Sequence, residues 1–163
     1  MVGTTNELSA DEGRKIVAEA KTWKGVAYGT VGKASSKGPG GSADCSGSTW
    51  GIYRAAGFPY EYQATATFPA YVKESGRFRE LGSNEKQQDG DILYWSGHMA
   101  IYSTFTTVDV GDAITDRVNK KGARWSQKND MWTASHPGGS PYGPAEIRTW
   151  KNGVLPQTFR YVK

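Results

Sequence analysis

From Gly40 to Gly57 the chain reads Gly-Gly-Ser-Ala-Asp-Cys-Ser-Gly-Ser-Thr-Trp-Gly-Ile-Tyr-Arg-Ala-Ala-Gly, and no other stretch constrains the fold as much. A glycine-rich approach ends at Asp44, a residue type suited to an N-cap. Beyond it Trp50, Tyr53 and Ala56 recur at helical spacing, and Gly57 stands where a left-handed C-terminal cap belongs. The pattern predicts a helix whose first turn carries Cys45, the single cysteine of the protein. Unpaired backbone N–H groups and the positive end of the helix dipole favour thiolate over thiol there. A small buried hydrophobe suits the same position, because free cysteine is among the most buried residue types. The rest of the chain has to decide between nucleophile and packing.

At 163 residues the chain suits one domain with a proper core, taken here as residues 1–163. A single cysteine forms no intramolecular disulfide and excludes zinc sites built from several thiolates, and no cofactor is implied. The two histidines, His98 and His136, are the candidates for any Cys–His chemistry. A net charge of +4 fits an anionic polymer such as cell wall about as well as nucleic acid. No Lys/Arg run with interleaved aromatics favours nucleic acid, so nucleic acid is not an expected partner. Met1 to Ala10 lacks a charged-then-apolar signal region and no stretch approaches a membrane span, so neither general export nor membrane insertion is expected.

Ser9 and Glu12 form a capping-box pattern ahead of a helix with Ile16, Val17, Ala20 and Trp23 on one face. Gly25 to Gly29 closes it, and a loop rich in Ser and Gly leads to Asp44. Thr67 to Glu74 reads as a short helix with Thr67 as cap, Pro69 in the first turn and Gly76 ending it. After the Gln88-Asp89-Gly90-Asp91 turn the pattern changes to strands: Ile92 to Trp95, a Ser96-Gly97 turn, and His98 to Ser103. Thr106 to Val110 continues a hairpin, and Asp112 to Gly122 is ambiguous, with a helical excursion as one option. Met131 to Ser135, Ala145 to Trp150 and Gln157 to Val162 read as further strands, with Gly and Pro between the first two. Helices first and antiparallel strands after them predict an α+β domain.

Alternation places His98, Ala100 and Tyr102 on one face of their strand, with Met99 and Ile101 on the other. Were the Cys45 helix to pack on that sheet, His98 would reach the sulfur as general base, and later return a proton to a leaving amine. His136, at the end of the Met131–Ser135 run, is placed to orient the first imidazole. Each histidine is also explicable as an ordinary polar residue of a strand start or loop.

Six segments, in order, resemble the NlpC-type cell-wall peptidases, which have a papain-like core. Gly25-Val26-Ala27-Tyr28 resembles the family's Gly-x-x-Tyr segment, and Asp44-Cys45-Ser46-Gly47 its Asp-Cys-Ser-Gly signature. Ala56-Gly57-Phe58-Pro59 is similar to the stretch that ends the nucleophile helix, and Gly90-Asp91-Ile92-Leu93-Tyr94-Trp95 to the Gly-Asp strand. Gly97-His98-Met99-Ala100-Ile101-Tyr102 is similar to the His-Val-Gly/Ala-Ile-Tyr strand, and Phe159 to Lys163 to the closing strand. The resemblance implies a papain-like fold, with N-terminal helices packed on an antiparallel sheet and the nucleophile at a helix N-terminus. It implies hydrolysis of a stem-peptide amide of peptidoglycan, commonly between γ-D-glutamate and the diamino acid. Cys45 and His98 would be catalytic with His136 as third member, and Tyr28, Asp44 and Ser46 would bind a free L-alanine amine.

A departure from the family is the 38 positions separating His98 from His136, longer than the usual connection. That insertion carries Asp109, Asp112, Asp116, Arg117, Lys120, Lys121 and Arg124, and either shapes the groove, binds a partner, or is a decorated loop. Trp125, Trp132, Tyr142 and Trp150 are candidates for a groove lining, though aromatics in such numbers usually belong to cores. The favoured setting is an interbacterial toxin, made in the cytoplasm and delivered by type VI-like secretion machinery to the periplasm or cell wall of a target cell. A cognate immunity protein is then expected. A tail-associated lysin and an exported enzyme lacking its leader are the other settings. Among functions, a CHAP-type N-acetylmuramoyl-L-alanine amidase, a D-Ala–diamino acid crosslink endopeptidase and a non-catalytic wall-binding module are the alternatives.

Overall fold

The computed structural model describes residues 6–104, 130–135 and 140–163. Helix α1 (Ala10–Lys21) begins at the expected capping box: Ser9 N–H donates to Glu12 Oε1 at 2.9 Å, and Glu12 N–H donates to Ser9 Oγ at 3.1 Å. Its apolar stripe, Ile16, Val17 and Ala20, is buried, with Trp23 just beyond its end. Gly13 lies so close to the turn before the main sheet that a Cβ there would sit 1.8 Å from the Asp89 carbonyl oxygen. Two short strands, β1 (Ala27–Tyr28) and β2 (Ser42–Ala43), pair in parallel and bring Tyr28 beside Ala43. A 3₁₀ turn at Gly32–Ala34 lies between them. Helix α2 (Cys45–Ala56) follows with Asp44 as N-cap and Gly57 in the left-handed conformation at φ 97°. Helix α3 is Phe68–Ser75. Thr67 occupies its N-cap position, but the hydroxyl donates to the Ala64 carbonyl instead of capping the helix.

Strands β3 (Phe78–Glu80), β4 (Ile92–Trp95), β5 (His98–Tyr102), β6 (Met131–Ser135), β7 (Ser140–Ala145) and β8 (Gln157–Tyr161) form one sheet in the order β3-β8-β4-β5-β6-β7. Every pairing in it is antiparallel. With the three α-helices among the described residues, this is the expected α+β class. One face of the sheet meets the helices: Ile92, Tyr94, Met99, Ile101, Trp132, Phe159 and Tyr161 form a single core with Ile16, Ile52, Tyr53 and Phe68. The other face carries a smaller cluster of Leu93, Trp95, Ala100, Met131, Ala145 and Ile147. Asp91 and Arg160, also on this second face, form a bidentate ion pair at 3.0 and 2.8 Å, with Asp91 fully buried. Among the described residues no helix is long and apolar enough to cross a membrane.

Two readings from the sequence need correction. Ala145 to Trp150 is not a strand: β7 ends at Ala145, and Ile147–Gly153 turns in 3₁₀ segments broken at Trp150. The Gly/Pro-rich run containing Pro141, Gly143 and Pro144 is the strand instead. It lies at the sheet edge, where a missing N–H costs no ladder bond. Strand β3 and the β1–β2 pair are too short for periodicity to reveal. Trp132 and Tyr142 are core residues at 1% exposure each. Trp125, the stretches read over Thr106–Val110 and Asp112–Gly122, and the charged residues from Asp109 to Arg124 lie outside the described residues.

Candidate active site

Cys45 is the first residue of α2 and is partly buried. Asp44 caps that helix through Oδ1, which accepts Gly47 N–H at 2.8 Å. Its other oxygen, Oδ2, accepts Gly32 N–H at 2.7 Å, so one carboxylate staples the 3₁₀ loop to the helix start. Gly47 makes that closure possible, because a Cβ there would sit 2.0 Å from the Gly32 carbonyl oxygen and 2.1 Å from Ser35 Oγ. Thus Asp44 and Gly47 of the Asp-Cys-Ser-Gly run have clear structural jobs. Both serve to present residue 45.

The Cys45 sulfur accepts the Met99 N–H of β5, and the N–H groups of Cys45 and Ser46 also turn toward it. Met99 N–H belongs to the peptide bond that joins His98 to Met99, which brings Cys45 to the backbone of the predicted base. The place is available because the β5–β6 ladder pairs Ile101 with Trp132 and Tyr102 with Met131, and Met99 lies beyond that pairing. His98 itself is on the face of the sheet opposite α2. There it is 3% exposed and stacked on Trp150, with ring centroids 4.3 Å apart and planes 26° apart, and Trp95 stands at 5.7 Å. Helix α2 and the imidazole therefore approach β5 from different sides.

Electrostatics correct the expectation of a ready thiolate. Burial raises the Cys45 thiol above its ordinary value and nearby Asp44 raises it further, against the smaller opposing effect of the N–H groups. Burial pushes His98 down to about 3, and the Lys151 cation adds to the shift. Both causes disfavour charge, so the resting pair is a neutral thiol and a neutral imidazole at pH 7. The helix N-terminus moderates the cost of ionising Cys45 without overcoming desolvation.

Tyr28 and Ser46 also gather here. The Tyr28 hydroxyl is pushed up by burial and by its closeness to Cys45 and Asp44, and so stays protonated at neutral pH. Ser46 Oγ lies 3.5 Å from Asp44 Oδ1 and 3.2 Å from the Tyr62 hydroxyl. Tyr62 in turn packs edge-on against Trp50 at 5.8 Å. Lys33 and Arg54 approach the same indole, at 5.8 and 5.3 Å from its centroid. His136 lies outside the described residues.

Two residues touch the imidazole: Thr133, which sequence reading missed, and Trp150, which it named only as a candidate groove lining. Thr133 on β6 places Oγ1 3.0 Å from His98 Nε2, and Trp150 covers the ring. Thr133 left one faint signal, a polar side chain inside the apolar run Met131–Ser135. For Trp150 the contact with His98 left no signal, because its position depends on a kink in which Lys151 and Asn152 adopt φ of 49° and 57°. No protein-family model matches the chain, and comparison with curated proteins finds no match.

Proposed function

We propose that the protein is a cysteine peptidase of the NlpC type, with a papain-like core, that hydrolyses an amide in the stem peptide of peptidoglycan. The observation that carries the reading is the seat of the Cys45 sulfur, at a helix N-terminus and against the N–H of the peptide bond that follows His98. Neutral His98 carries a lone pair that can take the thiol proton, but burial leaves it a weak base at rest, so the transfer relies on its charge being stabilised when substrate fills the site. As Cys45 attacks the carbonyl carbon, its proton passes to the imidazole, and the carbonyl oxygen gains the negative charge. The N–H groups at the start of α2 and the protonated Tyr28 hydroxyl are suited to that oxyanion. The imidazolium then protonates the leaving amine, and water, deprotonated by the same ring, releases the acyl group.

The site is also suited to a substrate amine. Asp44 Oδ1 accepts from Gly47 N–H and from the Ser46 hydroxyl, and Oδ2 accepts from Gly32 N–H, which leaves a lone pair on Oδ2 for an ammonium group, with Tyr28 beside it. This favours an amine-terminated stem peptide cut at the γ-D-glutamyl–diamino acid bond. The test is digestion of purified sacculi and defined muropeptides by wild type and Cys45→Ala, with mass spectrometry of the products. Fragments of γ-D-glutamyl cleavage from wild type alone support the reading. Release of intact stem peptide would mark an N-acetylmuramoyl-L-alanine amidase, and loss of terminal crosslinks a D-Ala–diamino acid endopeptidase. Binding without cleavage by either protein would leave a wall-binding module.

A further inference from the structure

The hydroxyl of Thr133 faces three polar atoms and has one proton to give. Oγ1 lies 3.0 Å from His98 Nε2, 2.9 Å from the Met99 carbonyl oxygen and 3.2 Å from the Ala134 carbonyl oxygen. A carbonyl oxygen only accepts, so whichever of the two is served, the hydroxyl proton is spent on a carbonyl. The Thr133 oxygen is then left with lone pairs toward His98. Were the proton turned to Nε2 instead, both carbonyl oxygens would face bare lone pairs of Oγ1 in a buried site, where such repulsion is least screened. The hydrogen-bond count therefore makes His98 the donor and Thr133 the acceptor.

We propose that Thr133 is the positioning residue of the catalytic imidazole: it accepts the Nε2 proton of His98 and so holds the ring in the Nε2–H tautomer, which leaves Nδ1 as the lone pair for a general base. The inference rests on the reading of Cys45 and His98 as the catalytic pair. The same β5 residue joins the two halves of the device. Met99 offers its N–H to the sulfur and its carbonyl to the Thr133 hydroxyl, so the segment that seats the nucleophile also sets the polarity of the bond to the base. When the thiol proton moves to Nδ1, the Nε2 proton stays where it is, still shared with Thr133. The imidazolium then has its second proton already bonded, and no further transfer is needed. A threonine has no charge with which to stabilise the imidazolium, unlike a carboxylate in the same place, which agrees with a ring that is neutral at rest.

Two-bond ¹H–¹⁵N correlation spectra of the full chain, labelled with ¹⁵N-histidine, test the proposal without any substrate. His98→Gln identifies the signals of His98 among those of the two histidines. The expected result for wild type at pH 7 is the Nε2–H pattern, retained in Thr133→Ser and in His136→Ala. Thr133→Val, which removes the acceptor, is expected to give a mixture of tautomers and to lower kcat on a muropeptide substrate by about 100-fold, with KM little changed. An Nδ1–H ring in wild type overturns the proposal. So does a Thr133→Val ring that keeps both its tautomer and its kcat, or a tautomer that His136→Ala changes and Thr133→Val does not. If Thr133→Val fails to fold, the wild-type and Thr133→Ser spectra still decide. An Nε2–H ring in a protein that cleaves no muropeptide would defeat the peptidase reading and leave the hydrogen-bond assignment standing.

Discussion

The two faces of the main sheet divide the work of the molecule. Facing the helices, Phe68, Phe78, Tyr94, Phe159 and Tyr161 pack ring against ring, with centroids 5.3 to 6.3 Å apart, and Tyr53 and Tyr60 join them. The other face holds a small apolar cluster, a buried ion pair between Asp91 and Arg160, and the imidazole of His98 under Trp150. The first face is built of interchangeable apolar area, where loss of one ring leaves its neighbours in contact. On the second, particular atoms must meet. Stability is therefore expected to reside mainly on the helix side and the chemistry on the other, with Cys45 joining them where the β5–β6 ladder stops.

The largest expected effect is on chemistry alone. Cys45→Ala and His98→Gln should each lower turnover of muropeptides by about 10³-fold or more, while circular dichroism and the unfolding midpoint stay near wild type. A comparable loss of fold in Cys45→Ala would put the cysteine in the core and break the division. Next, Phe68→Ala on the helix face should cost about 3–5 kcal/mol in a denaturant titration, since Phe68 is fully buried among aromatic neighbours. Turnover per folded molecule should be unchanged. Trp150→Ala should do the reverse, lowering kcat with little effect on stability.

Asp91 sharpens the comparison from the polar side. Asp91→Ala leaves Arg160 without its partner in a site where Arg160 is only 13% exposed at the side chain, and should cost about 3–5 kcal/mol. Asp91→Leu combined with Arg160→Met should recover most of that loss, because the pair is dispensable once both charges go. The most gradual effect is a pH slope. His98 titrates near 3 when folded and near its ordinary 6.5 when unfolded, so between those values the unfolded chain holds a proton that the folded chain does not. Stability should therefore fall as pH drops from 6.5 toward 3, by up to about 1.4 kcal/mol per pH unit. Unfolding curves at pH 4, 5, 6 and 7 would show it, and His98→Gln should flatten the slope by that amount.

Much of this architecture is legible without coordinates where the cause is local. Ser9 and Glu12 cap one another three residues apart, and Gly57 closes α2 in a left-handed conformation that residues with a Cβ rarely adopt. Cys45 on a first helical turn follows from Asp44 before it and the helical spacing after it. The β4–β5 hairpin follows from alternation and a Ser96-Gly97 turn, with Gly97 at φ 84°. Such features depend on neighbours along the chain, whose geometry the backbone dictates.

The site depends on neighbours across the fold, and there the local signals end. Asp44 reads as an N-cap from its position, but its second oxygen reaches Gly32, twelve residues away, and only the folded loop supplies that bond. Helix polarity argues for a thiolate at residue 45, yet burial outweighs it, and burial is a sum over the surrounding structure that spacing does not encode. His98 falls on a recognisable strand start, while the hydroxyl that meets it comes from Thr133, 35 positions on, through strand pairing that no short motif announces. Local covalent geometry was written in the sequence alone. Which polar atoms meet, and how far each is removed from water, was decided by tertiary packing.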